Sequence, residues 1–269
     1  NIPGLYAIGE ANYQYHGANR LGANSLLSCI FDGMFVAPGI DNYLKNLPAP
    51  VAADLPGSLF DREVRRHEET AQRMIRSDGR ENPYELHREL GATMTRNCTV
   101  VRHNKDLRDT LARLDELDDR YRRVAVADKG DWTNQNFAFA RALGDMLVLA
   151  RVIAQGALAR DECRGVHYKP ECLIPSPTSD DPDELHREAK AWCEAFRQKN
   201  EKWLKSTIAE HTPEGPRITY ESVDVSMIPP RPRTYGLKGA EVIEEVWKAS
   251  NRRGEDPGGP QMNRRDAES

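Results

Sequence analysis

Apolar positions fall at helical intervals along most of the chain. Leu107, Leu111, Leu114, Leu117, Tyr121 and Val124 form one stripe, and Phe139, Leu143, Met146, Leu147, Ala150, Ile153 and Ala157 form a second. Steps of three and four put each set on one face of a helix, and two such faces close most simply into a small antiparallel bundle. Phe60, Val64, Ala71, Met74 and Ile75 repeat the pattern within a strongly charged stretch. A further helix is expected from "ENPYELHREL", with Asn82 as cap, Pro83 in the first turn and Glu85 three residues after the cap. Asp181-Pro182 opens another, whose Leu185, Ala189, Trp192 and Phe196 share a face.

The ends of the chain read differently. "LYAIG", Leu5 to Gly9, is a short β-leaning run that stops at a glycine, as a strand entering a turn does. "SLLSCIFDGMFVA" predicts a buried helix closed by Pro38-Gly39, and Pro48, Pro50 and Pro56 mark a linker. Near the other end, "PRITYESVDVSMIPPRPRTY" is β-leaning and then proline-rich. From Ser250 apolar residues almost vanish, which predicts a disordered tail. The fold class is therefore α+β and mostly α-helical, with segments at 1–47, 54–179 and 180–249, the last holding a helix and short β-strands, and a tail at 250–269.

Charge and cysteine content narrow the possibilities. Lys and Arg number 38 against 42 Asp and Glu, so no overall basic field exists to hold nucleic acid. The longest apolar stretches are interrupted by charge, at Asp32 and at Arg151, and neither makes a membrane span. Five scattered cysteines without a CxxC support neither a disulfide framework nor a metal site, and point to a reducing compartment.

The most informative string is "HGANRLGANSLLS", His16 to Ser28. If a strand ends at Gly9 and a helix starts near Ser25, this is the loop at the carboxyl end of a strand, where open α/β sheets bind ligands. Gly17 and Gly22 allow close backbone approach on either side of Arg20, and Asn24 or Ser25 can cap the helix. An arginine beside a helix N-terminus makes a pocket for an anion; an ordinary capped helix with a surface arginine fits the same pattern.

"GLYAIGEANYQYHGANRLGANSLLSCIFDG" resembles the late FAD-binding segment of the succinate dehydrogenase and fumarate reductase flavoprotein family. The likeness is dense from Pro3 to Gly33 and continues more loosely through "VIAQGALARDECRGVHYKPE" and "DVSMIPPRPRTY". It implies that residues 1–47 end an FAD-binding α/β domain and that 54–179 form a helical domain. It further implies that Glu10 accepts hydrogen bonds from FAD hydroxyls, that the Ser25 and Leu26 amides face the flavin ring, and that Arg20 binds a carboxylate of succinate or fumarate. The implied reaction is oxidation of succinate to fumarate by hydride transfer to FAD. Electrons then pass to an iron–sulfur subunit held by membrane anchor subunits, at the cytoplasmic face of the inner membrane.

His16 could polarise substrate but is left out of this site as a loop histidine held by backbone hydrogen bonds, and Tyr13 and Tyr15 are left out as packing residues. In "RGVHYKPE", Arg164 and His167 either reach back toward the FAD domain or cap the long helix, and the capping role is preferred. Cys163 and Val166 depart from the serine and alanine usual in the family there, which argues against a strict chemical requirement. No GxGxxG fingerprint occurs, so the chain reads as the C-terminal piece of a longer flavoprotein and is expected to be inactive alone. The alternatives are another family flavoenzyme, fumarate reductase or L-aspartate oxidase, and a stand-alone helical binding module.

Overall fold

A computed structural model of the chain describes residues 2–48, 55–130 and 132–252. It is mostly helical. A 3₁₀ helix at Gly9–His16 precedes α1 (Asn24–Lys45), α2 (Gly57–Arg76), α3 (Pro83–Cys98), α4 (Asn104–Tyr121) and α5 (Gln135–Ala159). Then follow α6 (Pro182–Trp203), β1 (Lys205–Glu210), β2 (Arg217–Ser222) and α7 (Ala240–Arg252). Two compact units result, one running to Glu171 and one beginning at Cys172.

The core of the first unit is the α3–α4–α5 bundle. Leu86 from α3, Leu107, Leu114 and Leu117 from α4, and Ala140, Leu143 and Ala154 from α5 are almost wholly buried. The α4 stripe matches the expected one. On α5 the buried face is Ala140, Leu143, Leu147, Ala150, Ala154 and Ala157, so Met146 and Ile153 point outward instead. Small alanines take four of the six inner positions and let α5 approach its neighbours closely, while Met146 and Ile153, each one residue before an inner position, are left outside. Asn82 caps α3 as expected, its Oδ1 accepting from the Tyr84 N–H at 3.0 Å. A polar clamp crosses the same bundle: Arg120 donates to Glu81 at 2.9 Å and to Glu89 at 2.8 Å, and Arg113 also pairs with Glu89.

In the second unit, Asp181 caps α6 by accepting from the Asp183 and Glu184 N–H groups at 3.1 and 2.9 Å. Ala189, Trp192 and Cys193 of α6 pack on Ile243 and Val246 of α7, a helix beyond the one expected in this region. The strands form a two-stranded antiparallel hairpin with Lys205 opposite Ser222 and Glu210 opposite Arg217. Residues 250–252, placed in the expected tail, complete the last turn of α7; the remainder of that tail, 253–269, lies outside the described residues. Of the expected linker, residues 49–54 also lie outside them.

The N-terminal segment departs most from expectation. Leu5–Gly9 is not a strand: Ile8 keeps extended dihedrals of φ −134° and ψ 162°, but no neighbouring strand takes up its backbone groups among the described residues. A strand needs a ladder partner, and within the first unit no named strand is present among the described residues. α1 does not stop at Pro38-Gly39 but runs on to Lys45. Tyr43 in its last turns meets Tyr6 edge-on, ring centroids 6.5 Å apart, which supports the helix beyond the proline. Nor is α1 buried. Leu26, Ile30, Phe31, Met34 and Phe35 are exposed, and the buried side chain among its residues is Asp32.

Candidate functional site

The site is built on the contact between the 3₁₀ helix and α1. Asp32, the buried carboxylate of a mostly apolar helix, reaches back to accept from the Gly9 N–H at 2.8 Å and from the Tyr15 hydroxyl at 3.0 Å. These two bonds pin both ends of the Gly9–His16 turn. Gly9 has φ +63°, and a Cβ there would lie 3.0 Å from Cys29 Sγ, so the position favours glycine on both conformational and steric grounds. Glu10 follows directly and is exposed. Tyr15 is therefore more than a packing residue, since its hydroxyl belongs to the pin.

The chain then turns at Gly17 (φ 66°) into the exposed Arg20, whose Nη1 donates to the Leu21 carbonyl at 3.1 Å. The expected cap at Asn24 or Ser25 is corrected by the structure. α1 starts at Asn24, so the cap position falls to Ala23, which takes a left-handed conformation at φ 63° and offers no side-chain acceptor. The consequence is chemical. The first-turn amides of Ser25 and Leu26, both exposed, are left without a capping side chain and retain the partial positive charge of the helix start. Arg20, Glu10 and these amides thus all sit on the one folded segment pinned by Asp32. The donor set fits a cofactor with an electron-rich ring edge and hydroxyl groups: peptide donors for the ring, a carboxylate acceptor for hydroxyls, and a guanidinium for an anion beside them.

A second loop supports the first. After α5, Val166 donates its N–H to the Ala18 carbonyl at 3.1 Å, so this segment does reach the Arg20 loop. The helix cap expected of Arg164 and His167 is shared: His167 meets the carbonyl of Arg160, the residue that closes the α5 end, and Lys169 takes up the others. Its side chain is fully buried, and Nζ donates to the carbonyls of Ala157, Leu158 and Arg160 at 3.0–3.2 Å and to Asp161 at 2.8 Å. Glu162, also buried, lies between Arg160 and Arg164, with salt-bridge distances of 2.6 and 3.0 Å. His167 is held between Arg102 Nη1, 2.7 Å from Nδ1, and the Arg160 carbonyl, 2.9 Å from Nε2. Burial lowers the His167 pKa, with the neighbouring Arg102 and Lys169 charges acting in the same direction. A neutral ring that accepts at Nδ1 and donates from Nε2 satisfies both partners.

Asp32, Glu162 and Lys169 escape a reading by sequence pattern. The available signal was modest: one carboxylate interrupting "SCIFDGMF", and alternating charges after a long apolar helix.

Comparison with known proteins bears directly on this segment. The family model described as fumarate reductase flavoprotein C-term matches residues 87–235, and that of an FAD binding domain matches residues 1–26, which include Glu10, Arg20, Ser25 and Leu26. The chain is 43% identical over 240 residues to the succinate dehydrogenase flavoprotein subunit of Bacillus subtilis, covering 88% of this chain and 37% of that protein. It is 27% identical over 238 residues to the fumarate reductase flavoprotein subunit of Escherichia coli, covering 87% and 35%. Among solved structures, an E. coli quinol fumarate reductase chain aligns with a TM-score of 0.67 at 27% identity, covering 87% of this chain and 36% of that one. The chain thus spans little more than a third of the length of the curated relatives it matches.

Proposed function

Because the chain belongs to the succinate dehydrogenase and fumarate reductase flavoprotein family, we propose that it forms one wall of a flavin site at which succinate is oxidised to fumarate. The observation that carries the reading is the uncapped start of α1 beside Arg20, on a segment matched by an FAD-binding model. FAD, when bound, supplies the two-electron acceptor for a reaction that removes two hydrogens from a C–C bond.

The chain's own residues bind and orient. Arg20 grips one carboxylate through two parallel N–H donors, which requires its present bond to the Leu21 carbonyl to open or be shared. The Ser25 and Leu26 amides hold negative charge at the ring edge of the cofactor, and Glu10 accepts from its hydroxyls. Asp32 and Gly9 keep Glu10 and α1 in register. The identity to the Bacillus relative favours succinate oxidation over fumarate reduction as the working direction.

In this reading the complete flavoprotein delivers its electrons to an iron–sulfur subunit and is attached through it to membrane anchor subunits. The association is peripheral, on the cytoplasmic side of the inner membrane. It accords with there being, among the described residues, no helix long and apolar enough to cross a membrane.

Steady-state succinate oxidation by the complete flavoprotein tests the assignment. Arg20→Ala and Arg20→Lys are each expected to lower kcat/KM by on the order of 10²-fold or more, with flavin content and melting temperature near those of the parent. Lysine keeps the charge but loses the fork, so it does not rescue. Near-parental turnover in either variant refutes the role of Arg20.

A further inference from the structure

Arg20 projects from a loop with little packing of its own. Residues 17–23 are exposed, and neither of the elements beside them encloses the loop. A guanidinium that must meet a carboxylate in one orientation needs a backbone that does not wander, because a misplacement of about 1 Å costs orders of magnitude in an orienting contact. The structure supplies a fixed point two residues away, at Ala18.

The fixed point is the turn at 164–167. Arg164 and His167 close it with reciprocal backbone bonds, Arg164 N–H to His167 O at 2.9 Å and His167 N–H to Arg164 O at 3.0 Å. At its tip Gly165 takes φ +58°, and a Cβ there would lie 2.3 Å from the Ala18 carbonyl oxygen and 2.9 Å from the Ala18 side chain. The missing Cβ is what lets Val166 donate to that carbonyl. Its base is unusually rigid for a surface turn. His167 is bonded on both ring nitrogens, and its partner Arg102 also donates from Nε to the Cys98 carbonyl at 2.9 Å and from its backbone N–H to Tyr168 O at 3.0 Å. Buried Glu162 and Lys169 fasten the remaining strands of the turn to the end of α5. A continuous set of hydrogen bonds therefore runs from the C-terminus of α3 through Arg102 and His167 to Ala18.

We propose that the Gly165–Val166 turn is a positioning element for Arg20, fixing the substrate-binding loop against the helical bundle so that the guanidinium meets the dicarboxylate in the productive orientation. This deepens the reading above and rests on it. Gly165, Val166 and His167 touch neither substrate nor cofactor in this scheme. They act through the Ala18 carbonyl, and their effect is confined to how well Arg20 is placed.

The test is a double-mutant cycle on the complete, flavin-loaded flavoprotein, with malonate as probe. Malonate is a dicarboxylate with a single methylene and cannot be desaturated, so its affinity, read from flavin absorbance, reports carboxylate binding without turnover. Gly165→Ala is expected to weaken malonate by about tenfold or more, and His167→Gln, which removes the ring acceptor for Arg102 and leaves a donor toward Arg160, by about threefold to tenfold. In an Arg20→Ala background each should add less than about twofold, because the group being positioned is gone.

A purely structural role would lower flavin content and melting temperature in both backgrounds and leave the malonate losses additive; additive losses overturn the proposal. Parental affinity in Gly165→Ala, with affinity lost in Arg20→Ala, overturns the positioning role alone. Parental affinity in Arg20→Ala overturns the carboxylate assignment beneath it. Should neither turn variant load flavin, the turn is a folding element and the proposal is likewise overturned.

Discussion

The α3–α5 bundle and the α1 segment solve opposite problems with similar raw material. Both contain long apolar helices. In the bundle the apolar residues face one another, with Leu86, Leu107, Leu117 and Leu143 fully out of solvent. In α1, Leu26, Phe31, Met34 and Phe35 are each more than 60% exposed, and order comes from Asp32 and a glycine-mediated contact at Ala18. A helix apolar on all sides is a helix made to be covered. The segment that bears the proposed site is thus tied down by a few directional bonds, whereas the bundle is self-sufficient and serves as the body to which it is tied.

The contrast predicts a hierarchy of effects. Truncating the bundle core should be costliest: Leu107→Ala is expected to lower stability by about 2–5 kcal/mol, since its side chain is fully enclosed. Leu26→Ala in the same chain should stay within about 0.5 kcal/mol. Chemical denaturation of the two variants side by side checks this, and equal losses would mean that α1 is packed far better than its exposure indicates.

Next comes the pin. Asp32→Ala leaves the Gly9 N–H without its acceptor, a loss of about 1–3 kcal/mol that should be felt locally. Hydrogen exchange should show protection lost across Gly9–His16 while α4 keeps its own. Uniform loss across both regions would show that the pin and the bundle core unfold as one unit.

Helix starts give smaller and opposite changes. Asn82→Ala should cost about 1 kcal/mol by removing the cap of α3. Ala23→Gly should stabilise by a few tenths to about 1 kcal/mol, because alanine is strained at φ 63° and glycine is not. Thermal melting of the pair separates the two signs.

The smallest effect is on pH dependence. Hydrogen bonds from Arg120 hold the Glu81 and Glu89 carboxyls below their ordinary value of 4.5, with nearby arginine charges adding to the shift. Groups depressed in the folded state contribute stability that is complete above 4.5 and disappears as pH falls through the lowered native values. Arg120→Gln should flatten the acid side of the stability profile and leave neutral pH less affected than a core truncation would. An unchanged acid limb would show that these partly exposed pairs are too well solvated to matter.

Local patterns were legible from the residues themselves. The α4 stripe, the Asn82 and Asp181 caps and the mixed helix and strand character of the C-terminal part all follow from rules that act within a few residues. The "HGANRLGANSLLS" string marked the candidate site without showing how it is held. What pattern could not supply were partners distant in sequence. Asp32 meets Gly9 across 23 positions, and Arg102 meets His167 across 65. The inward face of α5 was settled by which side chains were small enough to let α4 close on it, not by periodicity alone.

The sequence by itself determined where α3 and α6 start, which residue types stand at the candidate site and which family they resemble, because capping, periodicity and motif chemistry are local properties. Tertiary structure alone decided that Leu5–Gly9 has no strand partner, that α1 begins without a side-chain cap and that Gly165 carries Ala18. Each depends on where a remote backbone group comes to lie. A buried N–H or carbonyl is satisfied by whatever neighbour the whole fold delivers, and no window of sequence contains that neighbour.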